Sequence, residues 1–556
     1  MRAWPLHSGY RKSVTSTLIA LSFVALSAFS GGSSGDQDEQ DDQKIPLTVP
    51  KAVCSPNDHP ETALQGQVPA GLRAVGFQGF NCNLQLVSQS RGDGANWQSA
   101  EFRDRNGGNK DREKDRDRRI CAYHGTAFTT ANRTHPGVPV IDVTDENNPT
   151  PTGYLTTTSM LDPWESLKVN ERRQLLAAND AHNGGFGAGG PEIDIYDLSG
   201  DCRFPQLLAS VAIGKADGST GIPHPIVGHE GSWAPDGLTY YGGDLTFIPP
   251  GTTTTTGQYY AVDTSDPTAP KLIATWTTGI ATGNVHGLSI SDDGNRGYFV
   301  SLGSIGSFGG TPDDLTKPPT NGLLIYDLSE IQARLPNPQV REISRLFWKD
   351  GSAAQHTIPV KIGGKPFVFF VDEGGSAGVS SAAQRQVACA NGLPPYPMAR
   401  IIDIGDETNP KIVSRLMLEV HDPANCAKVL PDLVGLSVFT YGSHYCSVDN
   451  KDHATTLACA YFNSGIRVFD IRDPRRPKEI AYFNPPGVTT ASPGSNHATT
   501  GQWRSGGPDW CSAQVHLDSE RGTLWTTCQD NGLLMLKFEN DVWPFPESST
   551  PPGQQN

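Results

Sequence analysis

Short apolar runs of about five residues, each closed by an aspartate, recur through the chain with polar stretches between them. They read Val138–Asp142 (VPVID), Ile193–Asp197 (IDIYD), Tyr259–Asp263 (YYAVD), Leu323–Asp327 (LLIYD), Ala399–Asp403 (ARIID) and Ile466–Asp470 (IRVFD). Each run alternates or is continuously β-branched and aromatic, and its length suits a strand and not a helix. A polar turn follows and closes on proline, at Pro149, Pro205, Pro270, Pro338, Pro410 and Pro477. The aspartate can fold its carboxylate back onto backbone N–H groups as an Asx-turn, and the proline opens the next strand where no ladder donor is needed. A device repeated once per unit is read as structural.

Upstream of most copies stands a second pattern of strand, Gly/Asp-rich turn and strand. It runs over His229–Asp244, His286–Leu302, His356–Glu373, His444–Phe462 and Cys511–Cys528. Two strands here and two around the Asp/Pro turn make four antiparallel strands per unit, the blade of a β-propeller. The segments VPVIDVTDENNP, YYAVDTSDPTAP, ARIIDIGDETNP and IRVFDIRDPRRP resemble the LVIVD repeat of exported bacterial β-propeller proteins. That resemblance implies the fold and is nearly silent on chemistry.

The expected fold class is all-β, a single propeller domain over residues 72–538 with seven four-stranded blades, six and eight being the alternatives. Units fall near residues 81–160, 163–214, 229–278, 286–348, 356–420, 444–484 and 511–538. The last has no Asp/Pro turn, since Lys537 stands where the aspartate should be. A ring closes if an N-terminal segment such as Leu72–Phe77 supplies the missing outer strand beside the C-terminal ones, which removes exposed sheet edges.

Outside the repeats, residues 1–30 combine Arg2, Arg11 and Lys12 with an apolar stretch and then small residues, the order of a secretory signal peptide. Residues 31–71 read as a flexible linker and 539–556 as a Pro-rich tail; Arg103–Arg119 mixes both charge signs and reads as a solvated loop. No later segment is apolar enough to span a bilayer, so a secreted or periplasmic monomer is expected. A net charge of -15 argues against nucleic acid or anionic lipid as partner and leaves small molecules, glycans or proteins. The ten cysteines of an exported chain imply disulfides. Cys446 and Cys459, and Cys511 and Cys528, lie symmetrically about hairpin turns and are expected to pair; the other six leave their pairing open.

Candidate chemistry follows from the repeat register. Aligning the units puts His229, His286, His356 and His444 at the start of the innermost strand, with Cys511 at the same place in the last unit. Imidazoles converging on one channel mouth suit a divalent or transition metal such as Zn, Cu, Fe or Mn, and an open coordination position would make the centre catalytic. The alternative is a structural ring in which each histidine ties its blade to the next. Acid/base candidates on the same face are Glu230, Asp372 and Asp530, with Asn179, Asp180, Asp244, Glu373, Asn463 and Asn531 nearby. His182, His224, His421 and His497 lie in loops expected to overhang that mouth. Nucleophile-elbow, P-loop and dinucleotide signatures are absent in a strand-to-helix context. Two functions remain: an exported lyase, hydrolase or oxidase acting on a small organic molecule or glycan, and a non-enzymatic scaffold for a protein or carbohydrate.

Overall fold

The computed structural model describes residues 48–104, 119–126, 134–180, 193–213, 228–244, 257–280, 285–303, 308–433, 438–492, 495 and 506–546. The signal peptide, Thr252–Thr256, His182, His224, His497 and most of Arg103–Arg119 lie outside them.

The chain forms a seven-bladed β-propeller of four-stranded antiparallel sheets. Blade 1 is built from Ser99–Arg103, Ile120–His124, Val138–Asp142 and Thr150–Leu155; blade 2 from Lys168–Asn170, Leu175–Asn179, Ile193–Asp197 and Gln206–Val211. Blade 3 begins at Glu230–Trp233, blade 4 at Val285–Ile290, blade 5 at Ser352–Ile362, blade 6 at Cys446–Val448 and blade 7 at His516–Asp518. Every repeat aspartate makes the expected turn. Its Oδ1 accepts the backbone N–H two residues on, from Thr144 to Asp142, Ser199 to Asp197, Ser265 to Asp263, Ser329 to Asp327, Gly405 to Asp403 and Arg472 to Asp470, at 2.8–3.1 Å.

Because a strand buried on both faces sends alternate side chains to opposite sides, each blade feeds two cores. In Leu175–Asn179, Leu176 and Ala178 pack with Phe102 and Tyr123 of blade 1, while Leu175 and Ala177 pack with Trp233 and Tyr260 of blade 3. The same division repeats around the ring, up to a cluster of Ile120, Ala122 and Ile141 with Trp525, Leu533 and Met535 that joins blade 7 to blade 1.

Closure uses an N-terminal strand, but a different one from that expected. Leu84–Ser90 pairs with Gly532–Phe538 as the outer strand of blade 7, and Phe80–Cys82 adds a fifth strand to blade 6. The expected segment Leu72–Phe77 instead carries the short helix Ala70–Val75, and blade 1 starts at Ser99, not near residue 81. The flexible linker expected up to residue 71 is also corrected over its described part. Val49, Leu64 and Val68 are buried with the cores of blades 5 and 6, Cys54 is bonded to Cys82, and Glu61 is ion-paired with the buried Arg467. Likewise the tail is held as far as Trp543, whose buried ring lies 4.6 Å from that of Phe538.

Cys446–Cys459 and Cys511–Cys528 are bonded, and the remaining pairs are Cys54–Cys82, Cys121–Cys202 and Cys389–Cys426. No cysteine is free. Five disulfides fit an extracellular or periplasmic location, and no helix among the described residues is long and apolar enough to cross a membrane.

Candidate functional site

Side chains from several blades meet on the propeller axis at Glu165. This residue precedes the inner strand of blade 2, where its N–H donates to the His229 carbonyl of blade 3 at 3.1 Å. One carboxylate oxygen, Oε2, lies 3.2 Å from His229 Nε2 and 3.0 Å from His286 Nε2; the other, Oε1, lies 3.0 Å from His444 Nε2. Glu373 faces the same group, its Oε1 3.7 Å from His286 Nε2 and 3.6 Å from His444 Nε2. All five side chains are buried.

The far nitrogens explain how the rings are aimed. His286 Nδ1 donates to the Ala354 carbonyl at 2.8 Å and His444 Nδ1 to the Ser512 carbonyl at 2.6 Å, each in the next blade. Such a bond fixes the ring and turns Nε2 inward. Gly287 is required beside His286, because a Cβ there would strike the Gln355 carbonyl of the adjoining strand.

With Nδ1 donated, a neutral imidazole presents a lone pair on Nε2. That lone pair cannot face a carboxylate oxygen at 3.0 Å without a positive charge between them: a second proton or a cation. Protons can fill that role. Burial alone would lower His286, yet the hydrogen bond and charge of Glu165 outweigh it and push the ring up to about 9; His444 is raised by the same partner. Burial takes His229 down to about 4. Burial would raise Glu165, but the three histidines hold it well below the ordinary carboxylate value. Burial pushes Glu373 up to about 7 against the pull of His286 and His444.

The donors fall into two groups that could hold a metal ion, Glu165 with His229 and His286, and Glu165 with Glu373 and His444; within each, the donor atoms lie within 4.8 Å of one another. They are imidazole nitrogens and carboxylate oxygens, a set that suits Zn, Mn, Fe or Cu. Thiolate is excluded, since Cys511 is bonded to Cys528.

Trp164 precedes Glu165 in the chain, and Lys168 opens the inner strand of blade 2 that follows it. Trp164 lies 5.3 Å from the His229 ring and stacks on Trp97 at 5.6 Å, and Trp97, Phe439, Phe462 and Trp510 form one buried aromatic cluster against His444. Beyond Glu165 the character is polar. Glu230 accepts the Tyr445 hydroxyl and pairs with Lys168 Nζ at 3.2 Å, and burial pushes its carboxyl up to about 7 despite that lysine.

Of the residues singled out from the sequence, His229, His286 and His444 are brought together, with Glu373 beside them and Glu230 adjoining. His356 is not. A bulge between Ala354 and His356 interrupts the register, so Gln355 points inward with its amide nitrogen 3.0 Å from His444 Nε2. His356 turns away to stack on Tyr445 at 4.6 Å and accepts the Cys446 N–H. Asp372 also faces away from the cluster, one residue before Glu373 on the alternating strand. It accepts from Asn321 and Trp348 and is ion-paired with buried Arg400, so it joins blades and does not serve as an acid/base group at the axis. The Asp530 carboxylate is engaged by the Ser492 N–H in the loop around Asp509. His421 is held in a one-turn helix between the Leu418 N–H and the Tyr441 carbonyl, and burial takes it down to about 3.

Glu165 stands where other repeats carry histidine, so the recurring histidine register does not single it out. Matching the Glu171–Gln174 turn of blade 2 to Pro235–Leu238 of blade 3 places Glu165 at the position of His229, a signal present in the sequence.

No protein-family model and no curated protein matches the chain. Solved propellers resemble it at low identity. They include hydrazine synthase from Kuenenia stuttgartiensis (11% identical, TM-score 0.44, covering 81% of this chain and 96% of that one) and the periplasmic gluconolactonase of Pseudomonas aeruginosa (12%, 0.41, 75% and 99%). A hypothetical selenium-binding protein from Sulfolobus tokodaii is 10% identical with a TM-score of 0.41, over 65% of this chain and 73% of that one. Similarity at this level says nothing of chemistry, which rests on the residues themselves.

Proposed function

We propose that this is an exported metalloenzyme of the LVIVD-repeat type, holding a divalent or transition metal with Glu165, His229, His286, His444 and Glu373, and acting on a small organic molecule. The observation that carries the reading is the paired orientation of His286 and His444. Both use Nδ1 on a backbone carbonyl and both aim Nε2 at the same carboxylate at 3.0 Å. The first bond ties each ring to the next blade; the second brings two Nε2 atoms to one carboxylate, the arrangement of a shared metal ligand.

A bound ion of this class supplies Lewis-acid activation of an oxygen or of water. The chain's own residues supply the rest. The aromatic cluster around Trp97 and Trp164 keeps bulk water away and favours a neutral or aromatic substrate over a charged polymer. Glu230, with a proton affinity matched to neutral pH, is placed to hold or accept a proton. Its pair with Lys168, whose side chain is 19% exposed, links the buried layer to solvent.

The test is elemental analysis of protein secreted without chelator, beside His286→Ala and His356→Ala variants of verified fold. Near-stoichiometric metal in wild type and His356→Ala, lost in His286→Ala, supports the reading. Metal-free wild type that also fails to take up Zn(II) or Cu(II) overturns it, and the protonated cluster is then a structural lock of a binding scaffold.

A further inference from the structure

Building on that reading, we infer that the cluster is a two-metal centre in which the Glu165 carboxylate bridges the ions. One ion is held by Glu165 Oε2, His229 and His286, the other by Glu165 Oε1, His444 and Glu373.

The division is drawn by the carboxylate itself. Oε2 faces two histidines, at 3.2 and 3.0 Å, and Oε1 faces the third at 3.0 Å. A single ion with Zn–N and Zn–O bonds of roughly 2.0–2.2 Å holds its donors within about 4.4 Å of one another. Within 4.8 Å the donors here collect as two triads that share Glu165, with Glu373 Oε1 3.6 Å from His444 Nε2 and 3.7 Å from His286 Nε2. A carboxylate with donors arrayed at both oxygens matches ions spaced roughly 3.5–4 Å apart, the separation of two-metal hydrolytic sites. Glu373 brings a second carboxylate to the His444 side, its Oε1 3.6 Å from the Nε2 that Glu165 Oε1 also faces.

The backbone supports the arrangement. Glu165 is fixed by its N–H bond to the His229 carbonyl, and blades 2 and 3 run side by side there through a parallel bridge between Glu165 and Glu230. The first triad therefore comes from three consecutive blades, 2, 3 and 4. Glu373 and His444, from blades 5 and 6, complete the second. Two ions held this way would bind one substrate oxygen between them, which points to an oxygen-bearing substrate such as an ester, lactone, alcohol or phenol.

The experiment is equilibrium dialysis of metal-free, full-length protein against Zn(II), with His229→Ala and Glu373→Gln variants checked for fold by circular dichroism. Two ions per wild-type chain are expected. His229→Ala should keep one, and Glu373→Gln should keep one. A single ion in saturated wild type overturns the bridge while leaving the metalloenzyme reading in place. No bound ion overturns both. Two ions that persist undiminished in both variants lie elsewhere on the protein, which also overturns the bridge.

Discussion

His286 connects three blades through one ring: its Nδ1 donates to Ala354 of blade 5 and its Nε2 meets the Glu165 carboxylate of blade 2 at 3.0 Å. Losing a ligand of this kind should cost more than the roughly 10–100-fold in metal affinity that loss of an outer hydrogen-bond partner costs. Competition with a chromophoric chelator should place His286→Ala at least 100-fold below wild type. Equal affinities would show that the ring serves the fold alone.

Gln355 and His356 exchange the roles that spacing assigns them. His356→Ala should keep full metal content and lose about 1 kcal/mol of stability with its stacking on Tyr445. Gln355→Ala should leave metal binding intact or tighten it, because the amide nitrogen it removes lies 3.0 Å from His444 Nε2 and competes for the lone pair a metal would take. Metal titrations and thermal unfolding of the two variants separate these effects; metal loss in His356→Ala would contradict the observed register.

Glu61 clasps the N-terminal segment to blade 6 through Arg467, a side chain with no solvent exposure. Glu61→Ala leaves Glu479, 3.0 Å away, as the partner of that guanidinium. Removing one partner from a buried pair costs about 3 kcal/mol. A lower melting temperature and faster proteolysis between residues 48 and 71 are expected, and unchanged protection of that segment would mean that the pair does not hold it.

Asp350 predicts an acid limb. Burial would raise its pKa, but the charges of Arg400 and Arg415 overcome this and hold it at about 2. The folded value lies below the unfolded one of about 3.9, so the contribution is present above pH 4 and lost as pH falls toward 2. Its size is about 2 kcal/mol. Asp350→Asn should be less stable than wild type at pH 6 by about that amount, and the gap should close by pH 2 in denaturant titrations. A constant gap would show that Asp350 stays charged, or never gains from its arginines.

The repeat grammar was open to reading because it is local. A strand of five residues, an Asx-turn and an opening proline are each decided within a few positions, and their recurrence implies blades whose edges must close on themselves. The two hairpin disulfides were legible for the same reason, since cross-strand neighbours are set by the turn between them. Three of the histidines now found at the axis were visible as a recurring register position.

What spacing could not decide is what a small local irregularity or a distant partner decides. One bulged residue in blade 5 flips every side chain beyond it, placing Gln355 at the axis in preference to His356. The same alternation separates Glu373, which faces the cluster, from Asp372, which locks blades together. Glu165 and His444 meet only because seven blades close into a ring, and the closing strand Leu84–Ser90 is recognisable only by the edge it covers. The sequence by itself determined the repeated unit and the kind of residue offered to the axis. The tertiary structure alone decided which side chains converge, because convergence depends on ring closure and strand register, neither of which is stored in any one repeat.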